Sequence, residues 1–265
     1  MNIRSLAATA LVAVGCVAFS QGTMYVIDSS RALSTVDIAT GAKTLVGTVS
    51  SNAGTTGGLA WDNATGTMYL TSTSLDSLFT LDLNTLTATL VGAYGDSTVV
   101  MHGLEWDSSA GVLYGASGVS ANNNLYRVST TTGAATLVGN VGLTSFNNLG
   151  FHSGTGVMYM THGGNDSLYT LNTATATPTL IGPLNGPTNP HGLAYNQDDG
   201  RMYLIDSATD NFYWLDLATG NANLIGSMGS GNLLGMAYVP VPEPGTMAVL
   251  GLGALALMRR RKKAA

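Results

Sequence analysis

One unit of about 44 residues occurs five times along this chain, and this repetition constrains the fold more than any other feature. Its clearest marker is the phrase Gly-Leu-Ala-Trp-Asp, which begins at Gly58. Related phrases follow at spacings of 45, 45, 44 and 43 residues, beginning at Gly103, Asn148, Gly192 and Gly235. A period of this length indicates one supersecondary unit that buries its apolar faces against its neighbours.

Each repeat contains four short apolar runs separated by turn residues. In the second repeat the marker phrase is followed by the pair Met68-Tyr69 and then by a run centred on Leu78. The last run of every repeat is Leu-Val-Gly or Leu-Ile-Gly, and its glycines are Gly47, Gly92, Gly139, Gly182 and Gly226. Alternation of apolar and polar residues predicts strands, and glycine in the Asp-x-x-x-Gly and Thr-Gly turns favours tight hairpins. Four antiparallel strands per repeat are typical of the blade of a β-propeller.

The two ends of the repeat region predict how the ring closes. The first copy lacks its opening strand, and the last copy is only an opening strand at 234–239. Pairing this last strand into the first blade would leave no unpaired sheet edge at the seam. We therefore expect an all-β fold, a five-bladed β-propeller closed by its C-terminal strand.

A further likeness lies in the fourth repeat. The phrase His191-Gly192-Leu193-Ala194-Tyr195, followed by Gly-Arg-Met-Tyr-Leu-Ile-Asp at 200–206, resembles the repeats of NHL and YncE-like propellers. The resemblance implies the propeller fold and does not imply an activity, because one fold hosts many functions.

The N-terminal segment has the composition of a secretory signal peptide. Arg4 supplies a positive charge, an apolar stretch follows, and small residues flank a possible cleavage point near Ser20. Around Cys16 the sequence also weakly resembles a lipoprotein box, which would mean acylation instead. We predict three segments: a signal peptide at 1–20, the propeller at 21–240 and a sorting segment at 241–265. Since Cys16 is the only cysteine, the propeller has no disulfide.

The C-terminal segment combines a Pro-Glu-Pro triplet, an apolar run at 245–258 and a basic cluster. The triplet is Pro242, Glu243 and Pro244, and the cluster includes Arg259, Arg260 and Arg261. These three parts in this order resemble the PEP-CTERM sorting signal of bacterial exported proteins. The resemblance implies recognition by an exosortase-type membrane enzyme and delivery to the cell surface or an extracellular polysaccharide matrix. The basic cluster should stay cytoplasmic while a short transmembrane helix holds the chain in the membrane. The alternative to a sorting signal is a plain C-terminal membrane anchor that is not processed.

Charge restricts the partners of the propeller. Residues 21–240 contain four basic and fourteen acidic side chains, a net charge of −10. This surface would repel phosphate backbones, which argues against a nucleic-acid partner. An extracellular polysaccharide or a protein is the expected class of ligand.

The most variable loops predict where a ligand would bind. In each repeat we name the strands a, b, c and d in chain order, and the b–c loops and d–a connections should share one face of the ring. The unusual polar residues expected there are His102, Asn147, His162, Asp166 and His191. They could bind a sugar or a divalent cation, or they could simply cap strands. No closely spaced metal motif is present, and we expect no cofactor.

Glu105 supports an alternative, enzymatic hypothesis. It is the only glutamate of the propeller, and the other repeats carry alanine or glycine in its place. With His102 and His191 it could act as a general acid or base of a lactonase or glycosidase at the channel mouth. The aromatic column of Trp61, Trp106, Phe151, Tyr195 and Tyr238 is expected to pack between blades. We favour a non-catalytic binding or structural module.

Overall fold

The computed structural model describes residues 21–118, 122–145 and 147–241. The predicted signal peptide and the apolar sorting helix lie outside the described residues. Within the described part of the chain, twenty strands form five antiparallel sheets of four strands each. The predicted all-β, five-bladed propeller is therefore confirmed.

The strands run in chain order from the centre of each blade to its rim. The innermost a strands pack against one another around the central channel. They are β4 (Thr56–Asp62), β8 (Met101–Asp107), β12 (Asn147–His152), β16 (Pro190–Asn196) and β20 (Leu233–Val239). The b strands are β1 (Thr23–Asp28), β5 (Thr67–Ser72), β9 (Val112–Ser117), β13 (Val157–His162) and β17 (Arg201–Asp206).

The c and d strands complete each blade toward the rim. The c strands are β2 (Ala32–Val36), β6 (Ser77–Leu81), β10 (Asn124–Val128), β14 (Ser167–Asn172) and β18 (Asn211–Leu215). The d strands are β3 (Lys43–Thr48), β7 (Ala88–Ala93), β11 (Ala135–Asn140), β15 (Thr177–Pro183) and β19 (Ala222–Ser227).

The C-terminal strand closes the ring as the sequence predicted. Strand β20 pairs antiparallel with β1, with Met24 opposite Tyr238 and Val26 opposite Met236. One sheet thus has the order β20-β1-β2-β3, in which the last strand of the chain supplies the innermost position of the first blade. Because both strands have partners, neither leaves an open sheet edge at the seam.

The hydrophobic core consists of five clusters, one at each interface between neighbouring blades. The cluster at the seam combines Met24 and Val26 of the first blade with Ile205 and Phe212 of the last. The other four clusters join successive blades in the same way. Since burial of apolar area is the main favourable contribution to folding, each blade depends on its two neighbours for stability.

The turns follow the predicted chemistry. In the a–b turns, Asp62 accepts hydrogen bonds from the backbone N–H groups of Ala64 and Thr65, and Gly66 has a φ of +69°. A positive φ of this size favours glycine. The aspartates therefore cap the turn, as expected.

A bulge in every d strand explains the repeated Leu-Val/Ile-Gly run. In the first blade Leu33 lies opposite Gly47 and Ser34 lies opposite Leu45, so that Val46 is the extra residue, and the other blades repeat this register. In all five blades the glycine after the bulge faces the c–d turn of the next blade, and in four of them its nearest atom there is a backbone carbonyl oxygen. The leucines before the bulge are exposed at the rim: Leu45, Leu90, Leu137, Leu180 and Leu224.

Candidate functional site

The a strands surround a narrow cavity at the middle of the central channel, between the two ends of the ring. The narrow part is a cavity of about 10 Å³ lined by the a strands, including Leu59, Leu104, Leu149 and Leu193. A cavity of this size holds at most one water molecule. We call the two ends the a–b mouth and the b–c mouth, after the loops that surround them.

At the b–c mouth, two of the predicted histidines meet across the channel. The rings of His102 and His191 lie with their centroids 6.2 Å apart and nearly perpendicular, although their blades are not neighbours in the ring. His191 Nδ1 lies 3.2 Å from the hydroxyl of Ser207. Burial, with a contribution from His191, lowers the pKa of His102 to about 4, and burial also lowers the pKa of His191. Both imidazoles are therefore neutral at pH 7.

The other predicted residues of this face lie in a neighbouring blade. His162 is buried, its Nδ1 lies 2.8 Å from Asn165 Oδ1, and its backbone pairs with Asn147. Asp166 occupies the b–c turn with a φ of +47°, a position that Asp76 and Asp210 take in other blades. Burial, together with repulsion by Asp206, raises the pKa of Asp166. The recurrence of aspartate with positive φ in these turns favours a structural role for Asp166.

These residues do not converge on a metal site. Within the described residues, no group of three or more histidine, cysteine, aspartate or glutamate side chains is placed to hold a metal ion. His102 contacts His191, whereas His162 contacts Asn165 and the ring of Tyr169. The predicted candidates thus form two separate polar clusters.

The a–b mouth contains a cavity of about 60 Å³ whose wall includes one aromatic residue from each blade. We call it the aromatic cavity, and its five rings are Trp61, Trp106, Phe151, Tyr195 and Tyr238. Each ring also packs into one of the interface clusters. Phe151 and Tyr238 are buried, whereas the two tryptophans and Tyr195 are partly exposed. The column therefore both packs between blades, as expected, and surrounds a cavity.

Glu105 lines the aromatic cavity, where its column neighbours Ala194 and Ala237 leave room for a longer side chain. Its Oε1 accepts a hydrogen bond of 2.9 Å from the backbone N–H of Trp106. Burial raises the pKa of Glu105 to about 8, and the backbone N–H groups of Trp106 and Phe151 offset only part of that increase. Burial therefore favours the protonated form of Glu105, which can donate as well as accept a hydrogen bond.

Trp106, which also lines the aromatic cavity, carries one unsatisfied polar group. The indole Nε1–H of Trp106 is buried and has no hydrogen-bond partner among the described residues. An unsatisfied buried donor costs about 1–3 kcal/mol, and this one is out of reach of solvent. Toward solvent, the rim is formed by turn residues with amide and hydroxyl groups: Asn63, Ser108, Ser153 and Gln197.

Among the described residues, Glu105 and His102 line different cavities. Glu105 lines the aromatic cavity at the a–b mouth, whereas His102 lines the narrow middle of the channel and lies toward the b–c mouth. We expected ligand-binding residues on the b–c side and did not anticipate the aromatic cavity. A signal was present in the sequence, because one aromatic column recurs in all five repeats and the only glutamate of the propeller directly precedes Trp106.

The C-terminal segment matches a known sorting motif. The model of the PEP-CTERM protein-sorting motif matches residues 240–262, which include the Pro-Glu-Pro triplet and the three arginines. The chain carries a PEP-CTERM sorting motif. It is thus an exported protein with a C-terminal sorting signal, and the PEP-CTERM motif implies processing by an exosortase-type membrane enzyme. No helix in the described ranges has the length and apolar character needed to cross a bilayer.

Solved structures share the fold of this PEP-CTERM protein at low sequence identity. A chain of a nidogen–laminin complex is 18% identical with a TM-score of 0.60, covering 83% of this chain and 81% of that one. A Bacteroides thetaiotaomicron protein of unknown function is 14% identical with a TM-score of 0.57, covering 78% and 57%. An auxiliary nutrient binding protein from the same organism is 15% identical with a TM-score of 0.53, covering 76% and 53%. Among curated proteins, none matches this chain.

Proposed function

We infer that this protein is a non-catalytic binding or structural module of the cell surface or extracellular matrix. The observation that carries the proposal is the separation of the ionisable groups of the channel. A hydrolase needs an acid and a base, or an acid and a nucleophile, at one substrate bond. Glu105 lines the aromatic cavity, whereas His102 lines the separate narrow cavity of about 10 Å³ and contacts His191.

The exported location supports the same proposal. The sorting motif delivers the propeller to the outside of the membrane, where the ligands available to a rigid ring are polysaccharides and surface proteins. Of the proteins of similar fold, one is part of a nidogen–laminin complex and another is an auxiliary nutrient binding protein. The comparison suggests a binding role for this chain without indicating its ligand.

The test compares binding and turnover in one preparation. The purified protein is mixed with the extracellular polysaccharide of the source cells and, separately, with panels of lactones and glycosides. We expect retention on the polysaccharide and no hydrolysis. Hydrolysis that disappears in the Glu105→Gln variant would overturn the proposal in favour of the lactonase or glycosidase alternative. Absence of both activities in folded protein would also contradict the binding role.

A further inference from the structure

Among the five described blades, the first is the only one whose a and b strands are not joined by a turn. In the other four blades the backbone N–H of a turn glycine donates a hydrogen bond of 2.8–2.9 Å to the carbonyl oxygen of the last a-strand residue. These glycines are Gly66, Gly111, Gly156 and Gly200. At the seam the a strand is β20 and the b strand is β1, so this turn and its hydrogen bond are missing.

Gly22 occupies the place of the turn glycine at the seam. It directly precedes β1, as Gly66 directly precedes β5, and in both blades the first b-strand residue pairs with the last a-strand residue. The N–H of Gly22 donates to Oδ2 of Asp198 at 2.9 Å, and the same oxygen accepts a hydrogen bond from the hydroxyl of Tyr238 on β20. Asp198 therefore binds the start of one strand and the end of the other.

Asp198 belongs to the neighbouring blade, whose own turn is capped by a different side chain. It lies in the a–b turn between β16 and β17, and there Oδ1 of Asn196 accepts the backbone N–H of Asp198 at 2.9 Å. In the other three a–b turns the residue two before the glycine is Ala64, Ser109 or Gly154. Of the four turns, only the one beside the seam thus has a carboxylate at this position.

We propose that Asp198 is a clip that replaces the missing turn and holds the ring closed at its seam. Its carboxylate oxygen supplies the acceptor that a backbone carbonyl supplies in the other blades, and hydrogen bonds to a charged acceptor are stronger than those to a neutral one. The site is closely packed, because a Cβ atom added to Gly22 would clash with the hydroxyl of Tyr238 and with the carbonyl oxygen of Val239. The clip does not depend on the proposed binding function.

The clip acts at the end of β20 from which the ring would open. The PEP-CTERM motif begins at residue 240, directly after β20 in the chain. When an exosortase-type enzyme handles this motif, any displacement of the chain reaches the end of β20 first. Loss of β20 would expose the edge of β1, and unpaired edges favour association with other chains. The clip therefore opposes separation of β20 from β1 at the chain end.

Hydrogen exchange of the full-length protein tests the clip. We expect Asp198→Ala to accelerate exchange in β1 and β20 about tenfold or more, while β16 and β17 of its own blade keep their protection. Asp199→Ala is the matched control, because this neighbouring carboxylate bonds to Tyr203 within the same blade and should leave β1 and β20 unchanged. Faster exchange confined to β16 and β17 in Asp198→Ala would show a role in the local turn only and would overturn the clip.

Two further variants keep the test decisive if Asp198→Ala does not fold. Tyr238→Phe removes one donor of the clip and should accelerate the same two strands. Thr23→Cys with Val239→Cys, in a Cys16→Ser background, joins these strands covalently, since opposed Cα atoms are about 4.5–5.5 Å apart, within the reach of a disulfide. In the oxidised form Asp198→Ala should fold and exchange like its parent. An effect of Asp198→Ala that is as large with the disulfide as without it would overturn the clip.

Discussion

Replacing Gly226 with alanine should destabilise the protein by forcing apart the two blades that meet at the seam. Gly226 lies on β19 of the last blade, and a Cβ atom added there would be 2.1 Å from the carbonyl oxygen of Thr40 in the first blade. The clash is with backbone, which cannot move away by changing rotamer. Overpacking of this kind costs about 1–3 kcal/mol, and the lower entropy of the unfolded alanine chain returns about 0.4–1 kcal/mol.

The expected net loss is about 1.3 kcal/mol, which lowers the melting temperature of a domain of this size by about 3–5 °C. Gly92 and Gly182 meet Thr132 and Thr219 in the same way and should behave alike. Gly139 is the matched control, because its added Cβ would lie 3.0 Å from Thr175, so Gly139→Ala should shift the midpoint by less than about 2 °C. Calorimetry measures all four. Equal midpoints for Gly226→Ala and Gly139→Ala would refute the packing argument.

Three further predictions concern titration and sorting. The pKa of Glu105 in the folded state is about 8, above its ordinary value, so the folded protein binds one more proton than the unfolded chain between about pH 4.5 and 8. The free energy of unfolding should therefore fall as the pH rises through this range. Urea unfolding at several pH values measures this slope, and Glu105→Gln should remove it. The pKa of His102 is lowered to about 4, so the free energy of unfolding should fall as the pH drops from about 6.5 to 4, and His102→Asn should reduce this fall. If the pH dependence of stability is unchanged in either the Glu105 or the His102 variant, the burial of that residue is contradicted. Deleting residues 242–265 should release the protein into the medium, measured by immunoblotting of cell and medium fractions, and unchanged surface retention would contradict a sorting role for the segment.

Blade count, strand order and ring closure could be predicted because they depend on the pattern of apolar residues. The phrase around Met236 matches the opening strand of every other repeat, while the copy that begins at Met24 lacks one. An unpaired edge is costly, so the two ends were expected to pair, and β20 pairs with β1. The bulge at Val46 and its equivalents was not anticipated, because an extra residue in one strand leaves the local alternation of the sequence nearly unchanged.

The location of the cavity could not be predicted from the repeat pattern. Its aromatic column has the regular spacing of core residues, and each ring does pack in a core cluster, so the sequence alone does not reveal that the five rings also surround a space. The enzymatic hypothesis placed Glu105 and His102 in one site without considering how far apart they lie along the strand. Three residues of strand span roughly 10 Å, and this places the two side chains at different levels of the channel.

Native-state hydrogen exchange of β20 tests the central claim most directly, because this strand both closes the ring and contributes Tyr238 to the aromatic cavity. The ladder between Thr23–Asp28 and Leu233–Val239 should exchange as slowly as the inner ladders of the other four blades. Rapid exchange of both strands, while the other blades remain protected, would contradict a ring closed by its last strand.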